Sequence, residues 1–297
     1  MTSHRRRLVL ATAAATLGGA GALGAVVGLV VLYGGFYDIG ATTSHFNPVY
    51  KVLDRGLLQA VRFHARAIET PPAIVQAAAT PPGAPSASYH ASAQVLRGAG
   101  LYRDNCVVCH GAPGVAPGDI GKSMQPVPGP LSDAARRWQP NELYWITRHG
   151  IKMSGMPAWQ FHLADEDIWS VVSFLVALPA LTPKGYADIT ALAGPQARAA
   201  RPDHAQPDVK RGRLALTQYA CHACHSIPGI TGSDTAVGPP LADLQKRRLI
   251  ANGLPNNPAN LAQFIRNPQQ YNPHSAMPAL NVTPSDARDM AAYLLDQ

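Results

Sequence analysis

The chain has 297 residues, of which 46% are hydrophobic and 14% are charged, and its formal net charge is +7. This length is typical of about two domains, and the 27 Pro and 26 Gly indicate loops and linkers beside packed cores. No basic block is long enough to form a nucleic-acid groove, so nucleic-acid binding is excluded from the expected functions.

A long uncharged run near the N-terminus predicts a membrane anchor. The 26 residues from Leu8 to Tyr33 follow the basic cluster Arg5–Arg7 and are enough to cross a hydrocarbon core of about 30 Å. The arginines predict that the N-terminus stays in the cytoplasm. We therefore expect residues 1–36 to form a single transmembrane helix in the inner membrane, with the remaining chain in the periplasm. The alternative is a cleaved signal peptide with a site near Gly21–Ala25, but the apolar run continues beyond that site.

Residues 37–94 are predicted to contain an amphipathic helix followed by a linker. Apolar residues recur at three- to four-residue steps over 47–69, while the basic residues lie largely elsewhere. Because this helix follows the anchor, we expect it to lie on the membrane or to contact a membrane partner. Residues 70–94 are rich in Pro and Ala, which predicts an extended, semi-rigid linker. His45 and His64 are interpreted as ordinary buried or solvated side chains.

Two stretches, residues 95–180 and 210–297, share one organisation, and a second Ala- and Pro-rich linker is predicted between them over 181–209. Each stretch opens with a short helical pattern that leads into Cys-x-x-Cys-His. A Gly- and Pro-rich loop, a Met-Pro pair and a closing helix follow in both. The closing helices are predicted over Asp165–Leu178 and Ser285–Leu295. This pattern is an internal repeat at the scale of a domain.

The two Cys-x-x-Cys-His motifs predict covalent attachment of one haem each. Two thiols separated by two residues can add to the two vinyl groups of a haem, and the adjacent histidine then becomes the proximal iron ligand. The motifs contain all four cysteines of the chain, so none is left for a disulfide. We therefore expect two haem c groups, held by Cys106, Cys109 and His110 in the first stretch and by Cys221, Cys224 and His225 in the second.

A zinc site and a thiol redox pair are the alternatives for these motifs. A zinc site with four thiolates would join pairs that lie 112 residues apart, from Cys109 to Cys221, across a Pro-rich linker. A thioredoxin-like pair is typical of a βαβ pattern, which this sequence does not show. The sequence therefore favours haem, and His222, inside the second motif, is interpreted as a surface or loop residue.

Each stretch also offers a methionine as the sixth iron ligand. Met156 lies 46 residues after His110, and Met277 lies 52 residues after His225, and a proline follows each methionine. A thioether is a soft ligand, and Met/His ligation raises the reduction potential of a haem. Met153 is an alternative ligand in the first stretch. We favour Met156 because the next residue, a proline, stiffens the loop and because the second stretch repeats this arrangement.

Further short motifs surround the haem motifs. In the first stretch they are Gly100-Leu101-Tyr102, Pro130-Leu131 and the run His149–Trp159, and in the second they are Gly238–Leu241, Gly253–Pro258, Phe264–Pro268 and Ala276-Met277-Pro278. With these residues the first stretch resembles a class I cytochrome c and is similar to cytochrome domains found beside bacterial dehydrogenases and oxidases. The second resembles the cytochrome c domain fused to subunit II of some haem-copper oxidases.

These resemblances imply an all-α fold in which the N- and C-terminal helices of each domain pack across one another and one haem edge is partly exposed. They also imply that Pro239 braces His225 through the backbone. The matching residue of the first domain stays open among Pro126, Pro128 and Pro130. The chain departs from the oxidase subunit because it lacks the copper-binding domain and has no spare cysteine for a dinuclear copper site.

The expected function is one-electron relay by a membrane-tethered periplasmic cytochrome and not catalysis at a substrate site. The resemblances imply a quinol-oxidising complex or a periplasmic dehydrogenase as donor and a terminal oxidase as acceptor. One alternative is a cytochrome subunit of a periplasmic dehydrogenase. A second is a dihaem peroxidase, which needs an open sixth position at one iron, and the two Met-Pro pairs argue against it.

Overall fold

The computed structural model describes residues 3–79, 92–194, 206–232 and 237–297, and the chain is mainly helical in these ranges. The longer helices are α1 (Ser3–Gly34), α2 (Asn47–Ala65), α3 (Pro72–Ala79), α4 (Ala93–Asn105), α5 (Pro140–His149), α6 (Asp165–Ala177), α7 (Pro183–Ala193), α8 (Val209–Gln218), α9 (Pro258–Arg266) and α10 (Pro284–Leu295). Single-turn α-helices lie at Val107–His110, Asp119–Lys122, Ala134–Arg137 and Pro268–Tyr271, and 3₁₀ turns at Trp159–Phe161, Leu178–Ala180, Cys221–Ala223, Leu244–Lys246 and Ala251–Gly253. A short antiparallel hairpin pairs β1 (Leu249–Ile250) with β2 (Leu254–Pro255). The predicted all-α fold is confirmed.

The first helix is long and apolar enough to cross a membrane. The candidate span is the helix from His4 to Gly34, which is 31 residues long and contains an 18-residue window with a mean hydropathy of 2.0, none of which is buried inside the protein. At 1.5 Å per residue this helix extends about 46 Å, compared with a hydrocarbon core of about 30 Å. The length and composition of α1 therefore agree with the predicted transmembrane helix.

The chain divides into two compact units, Met1–Arg201 and Pro202–Gln297. We call the part of the first unit from α4 to α7 domain 1, and the helical part of the second unit from α8 to α10 domain 2. Each has its own hydrophobic core.

In domain 1 the first helix, α4, crosses α6 at a glycine. Gly98 on α4 lies directly against α6, and a Cβ atom added there would overlap the carbonyl oxygen of Ser170 and lie 2.9 Å from the Cβ of Phe174. Next to this crossing, the ring of Phe174 packs against Tyr102 of α4 with 5.2 Å between the ring centroids. Arg97 of α4 forms an ion pair with the buried Asp167 of α6. The absence of a side chain at Gly98 thus allows the two backbones to touch.

Domain 2 uses the same crossing with different residues. Gly212 on α8 lies against α10, where an added Cβ would overlap the carbonyl oxygen of Asp289 and lie 3.0 Å from the Cβ of Tyr293. The neighbouring Arg211 pairs with Asp289 through Nε and Oδ2 at 2.8 Å. The crossing of the N- and C-terminal helices, which the family resemblance implied, is therefore present in domain 2, and domain 1 has the same crossing between α4 and α6, with α7 following as an additional helix.

The two predicted linkers are partly helical, and the linker prediction is wrong for these segments. Within residues 70–94, helix α3 buries Ile74 in the core of the first unit. Within residues 181–209, helix α7 buries Tyr186 and Ile189 in the same core, against α4. Both segments are rich in Ala and contain only a few larger apolar residues at helical spacing. These few residues suffice to bury one face of each helix. The remainder of each linker, residues 80–91 and 195–205, lies outside the described residues.

Helix α2 confirms the predicted amphipathic helix, and its C-terminal half packs on α5 of domain 1. Val61 and Ala65 are fully buried at this contact. The ring of His64 stacks on Trp145 of α5 with 5.4 Å between the ring centroids, and Asn141 of α5 donates through Nδ2 to the carbonyl oxygen of Ala65 at 2.9 Å. His64 is therefore part of a packing contact.

Replacing Gly98 by alanine should destabilise domain 1, because the new methyl group forces α4 and α6 apart. We expect a loss of roughly 1–3 kcal/mol, which is typical of overpacking. The control is Gly185→Ala in α7, where an added Cβ meets its nearest atom at 3.5 Å and the substitution should be neutral or slightly stabilising. Denaturant unfolding followed by circular dichroism tests this, and equal midpoints for the two variants would contradict the helix crossing.

Candidate haem sites

Both haem motifs form one tight backbone turn. In the first, the amides of Cys109 and His110 donate to the carbonyl oxygen of Cys106 at 3.1 and 2.9 Å. In the second, the amides of Cys224 and His225 donate to Cys221 at 3.2 and 3.0 Å. This turn brings two thiols and one imidazole together on a short segment of chain.

The four thiols are free and partly exposed. No disulfide joins Cys106 to Cys109 or Cys221 to Cys224. Burial raises the pKa of Cys106 to about 12, and it also raises the pKa of Cys221. Each motif therefore offers two thiols to the vinyl groups of a haem, and burial keeps Cys106 and Cys221 in the protonated S–H form.

The imidazole of His110 is oriented by the backbone. Its Nδ1 lies 2.7 Å from the carbonyl oxygen of Gly129, and because a carbonyl can only accept, Nδ1 carries the proton. Burial lowers the pKa of His110, although the hydrogen bond to Gly129 opposes this shift. The ring is thus held as the neutral tautomer whose Nε2 has a free lone pair, which is the arrangement of a metal-ligating histidine.

His225 is oriented in the same way in domain 2. Its Nδ1 donates to the carbonyl oxygen of Pro239 at 2.8 Å, which is the backbone contact that the resemblance implied. The ring also lies flat against Gly238, where an added Cβ would stand 2.5 Å from Cε1 of the imidazole. A glycine is therefore required before Pro239.

The equivalent of Pro239 in domain 1 is Gly129, and none of the three candidates Pro126, Pro128 and Pro130 accepts the hydrogen bond. The interaction needs only a backbone carbonyl, so the residue that supplies it need not be proline. What the two sites share is a proline in the next position, Pro130 or Pro240, followed by leucine.

The two predicted methionine ligands lie in loops of the same construction. The amide of Met156 donates to Oγ of Ser154 at 3.1 Å, and the amide of Met277 donates to Oγ of Ser275 at 3.2 Å. Both methionine side chains are partly buried. Met153, the alternative in domain 1, is 94% exposed. This arrangement favours Met156, and ligation by either methionine stays a prediction.

Sequence reasoning missed Met124, which lies beside the methionine loop of domain 1. A Cβ atom added at Gly155 would stand 2.5 Å from the sulfur of Met124, so this side chain packs directly over the residue that precedes Met156. No proline follows Met124, and it has no counterpart in the second stretch. The only signal in the sequence was its position in the Pro-rich loop.

A mostly apolar cavity of about 310 Å³ opens beside His110. Its lining includes Ala112, Pro113, Val115, Pro128, Pro130 and Leu131. An apolar cradle next to the imidazole and the two thiols of the motif suits a porphyrin ring. Within the described ranges, no group of three or more His, Cys, Asp or Glu side chains is placed to hold a metal ion.

Comparison with known proteins agrees with this geometry. Residues 93–175 match the family described as cytochrome c oxidase, cbb3-type, subunit III, and residues 209–297 match the cytochrome c family. The chain carries two cytochrome c-type domains. They make it an electron-transfer haem protein that binds haem c.

A curated relative adds a likeness to an oxidase. The chain is 36% identical over 85 residues to cytochrome c oxidase subunit 2 of Alkalihalophilus pseudofirmus, which is 28% of this chain and 24% of that protein. The chain therefore spans about a quarter of the length of this relative. No solved structure matches the chain.

Removing each predicted methionine ligand should lower one reduction potential. Met156→Ala should affect only the haem of domain 1, and Met277→Ala only that of domain 2, because loss of the thioether removes the ligand that favours Fe(II). A shift on the order of 0.1 V is expected within the ~0.8 V range that axial ligands span. Potentiometric titration followed by haem absorbance measures it, with Met153→Ala as the control. An unchanged potential would exclude that methionine.

A second pair of variants tests the contacts that orient the motif histidines. Gly238→Ala should displace the ring of His225 and disturb the haem spectrum and potential of domain 2, because the new methyl group clashes with the imidazole. Gly129→Ala should change nothing, since the carbonyl is retained and an added Cβ has no atom within 4 Å. If Gly238→Ala leaves the domain 2 spectrum intact, the described packing of His225 is wrong.

Proposed function

We propose that this chain is a membrane-tethered dihaem cytochrome c that carries electrons, one at a time, from a membrane or periplasmic donor to a respiratory acceptor such as a terminal oxidase. One observation carries the proposal: in both domains the motif histidine donates through Nδ1 to a backbone carbonyl, while a Ser-x-Met-Pro loop follows at a similar distance along the chain. Two complete sets of candidate iron ligands support two haems.

Each side chain has a defined task in this proposal. The cysteine pairs hold the cofactor covalently, and His110 and His225 provide the proximal nitrogen. Met156 and Met277 would each provide a thioether ligand, which raises the potential of a bound haem. When bound, each haem supplies a one-electron Fe(III)/Fe(II) couple. Because protein ligands would occupy both axial positions, no position is left for a substrate, and we propose a carrier and not an enzyme.

The proposed location follows from α1. The arginines in the first turns of α1 favour a cytoplasmic N-terminus, which would place both cytochrome domains in the periplasm, on the outer side of the inner membrane. Tethering also raises the effective concentration of the domains near membrane enzymes. Periplasmic exposure agrees with the conditions that haem attachment to thiols requires.

The partner is proposed from the comparisons. Domain 1 matches a family described by an oxidase subunit, and a quarter of an oxidase subunit 2 is similar to part of this chain. Both favour a terminal oxidase as acceptor. Three consecutive basic residues, Lys246 to Arg248, lie at the surface of domain 2 and favour an acidic docking surface on one partner, because complementary charge accelerates encounter. A cytochrome subunit of a periplasmic dehydrogenase is the second candidate.

Purification of the tagged full chain from gently solubilised native membranes tests the proposal. We expect two haems per chain by pyridine haemochrome assay, and co-purification with a haem-copper oxidase whose oxygen uptake depends on this chain. The matched variant Cys221→Ala/Cys224→Ala should carry one haem and should support less oxygen uptake. Co-purification with a dehydrogenase would replace the oxidase by the second candidate.

Turnover of hydrogen peroxide by the same purified protein separates a carrier from a peroxidase. We expect none above the level of free haem, because both irons would have two protein ligands. Sustained peroxide reduction with an electron donor would contradict the carrier proposal and favour the dihaem peroxidase.

A further inference from the structure

The N-terminal half of α2 carries an apolar surface that is largely exposed. Val52 is 71% exposed, and Leu53 is 53% exposed. Val49 and Tyr50 are also exposed, whereas Val61 and Ala65 in the C-terminal half are fully buried against domain 1. The helix therefore uses one end to hold domain 1 and extends the other end beyond it.

Among the described residues, the basic residues of α2 have partners in the C-terminal half of the helix but not in its N-terminal half. Arg62 lies 3.7 Å from Glu142 of α5, and the guanidinium that follows the helix, Arg66, lies 3.9 Å from the ring centroid of Phe63. Lys51 and Arg55, in the N-terminal half, form no ion pair within 4.0 Å among the described residues. Asp54 lies between these two cations, so two cations and one carboxylate give this half a net charge of +1. Exposed apolar side chains flanked by cations are typical of a helix that lies in a membrane interface.

The segment between α1 and α2 is compactly folded. Asp38 accepts hydrogen bonds from the amide of Gly40 and from the hydroxyl of Thr43, both at 2.8 Å. Tyr37 bonds to His45 through its hydroxyl, and its ring packs on Phe46 with 5.8 Å between centroids. Only the 12 residues 35–46 separate the two helices. Because these local contacts shorten the connection, the start of α2 stays close to the end of the membrane-spanning helix.

We propose that the N-terminal half of α2 lies in the headgroup region of the bilayer beside α1, and that its C-terminal half thereby seats domain 1 on the membrane surface. The occupant of the exposed face is lipid with anionic headgroups, which matches the apolar side chains together with Lys51 and Arg55. This inference rests on the membrane anchorage in the proposed function and goes beyond it, because a tether alone would not fix the position of the domain.

The same arrangement brings the histidine loop of domain 1 close to the membrane. Gln125 donates through Nε2 to the carbonyl oxygen of Thr43 at 3.1 Å and to Oγ of Ser44 at 2.9 Å. It lies four residues before Gly129, whose carbonyl orients His110. The proposed seating of domain 1 therefore places this loop near the bilayer surface.

Photo-crosslinking of the full-length, haem-loaded protein in nanodiscs with anionic lipid tests the proposal. A benzoylphenylalanine replaces Val52 in one variant and Leu192 in another, which is an equally apolar and 77% exposed position on α7. We expect several-fold more lipid adduct at position 52 than at position 192, detected by mass spectrometry. Equal adduct at both positions, no lipid adduct at position 52, or adduct only to a second protein would overturn the proposal.

A charge variant provides an independent readout. Val52→Glu/Leu53→Glu places two carboxylates on the exposed face, where folding is not disturbed, and Leu192→Glu is the control. In nanodiscs we expect hydrogen exchange at the amides of residues 49–55 to become several-fold faster in the double variant only, and unchanged exchange would contradict the proposal. Extraction of the unmodified protein from membranes by alkaline carbonate would contradict the membrane anchorage in the proposed function. If the anchorage and the haem spectra are normal but the lipid contact is absent, only the inference about α2 is contradicted.

Discussion

The hydrogen bond from Nδ1 of each motif histidine to a backbone carbonyl is the interaction on which both sites depend. It fixes the tautomer and the direction of the imidazole, so that Nε2 is available to a metal. The loop that supplies the carbonyl must come close to the haem motif, which explains why Gly238 lies flat on the ring of His225. The close helix crossings at Gly98 and Gly212 hold the framework in which these loops meet.

Much of this organisation was predictable from the sequence, because the motifs have a fixed chemical spacing. The all-α fold, the helix at the N-terminus and the histidines of both motifs follow from local patterns. The residue that orients His110 was not predictable, since any backbone carbonyl serves and Gly129 has no distinguishing side chain. Helices α3 and α7 escaped detection because buried residues such as Ile74 and Tyr186 are sparse in Ala- and Pro-rich sequence, and only tertiary packing stabilises them.

The two domains form the same site geometry in different surroundings. Comparing them distinguishes the features that the site requires from the features that vary. The glycine at the helix crossing, the arginine before it, the carbonyl acceptor and the serine before each Met-Pro pair occur in both. The surroundings differ: domain 1 packs against α2, α3 and α7, whereas domain 2 has a basic surface around Arg247. We therefore expect similar iron ligation in the two domains but different contacts with partners.

We propose that one histidine and one methionine would hold each iron. Near-infrared magnetic circular dichroism of the oxidised full-length protein tests it most directly, because this spectrum distinguishes thioether, imidazole and water ligands. We predict two low-spin haems per chain, each with a methionine signature. A high-spin haem, or a haem with two nitrogen ligands, would contradict the account for that domain and would reopen a role in substrate chemistry.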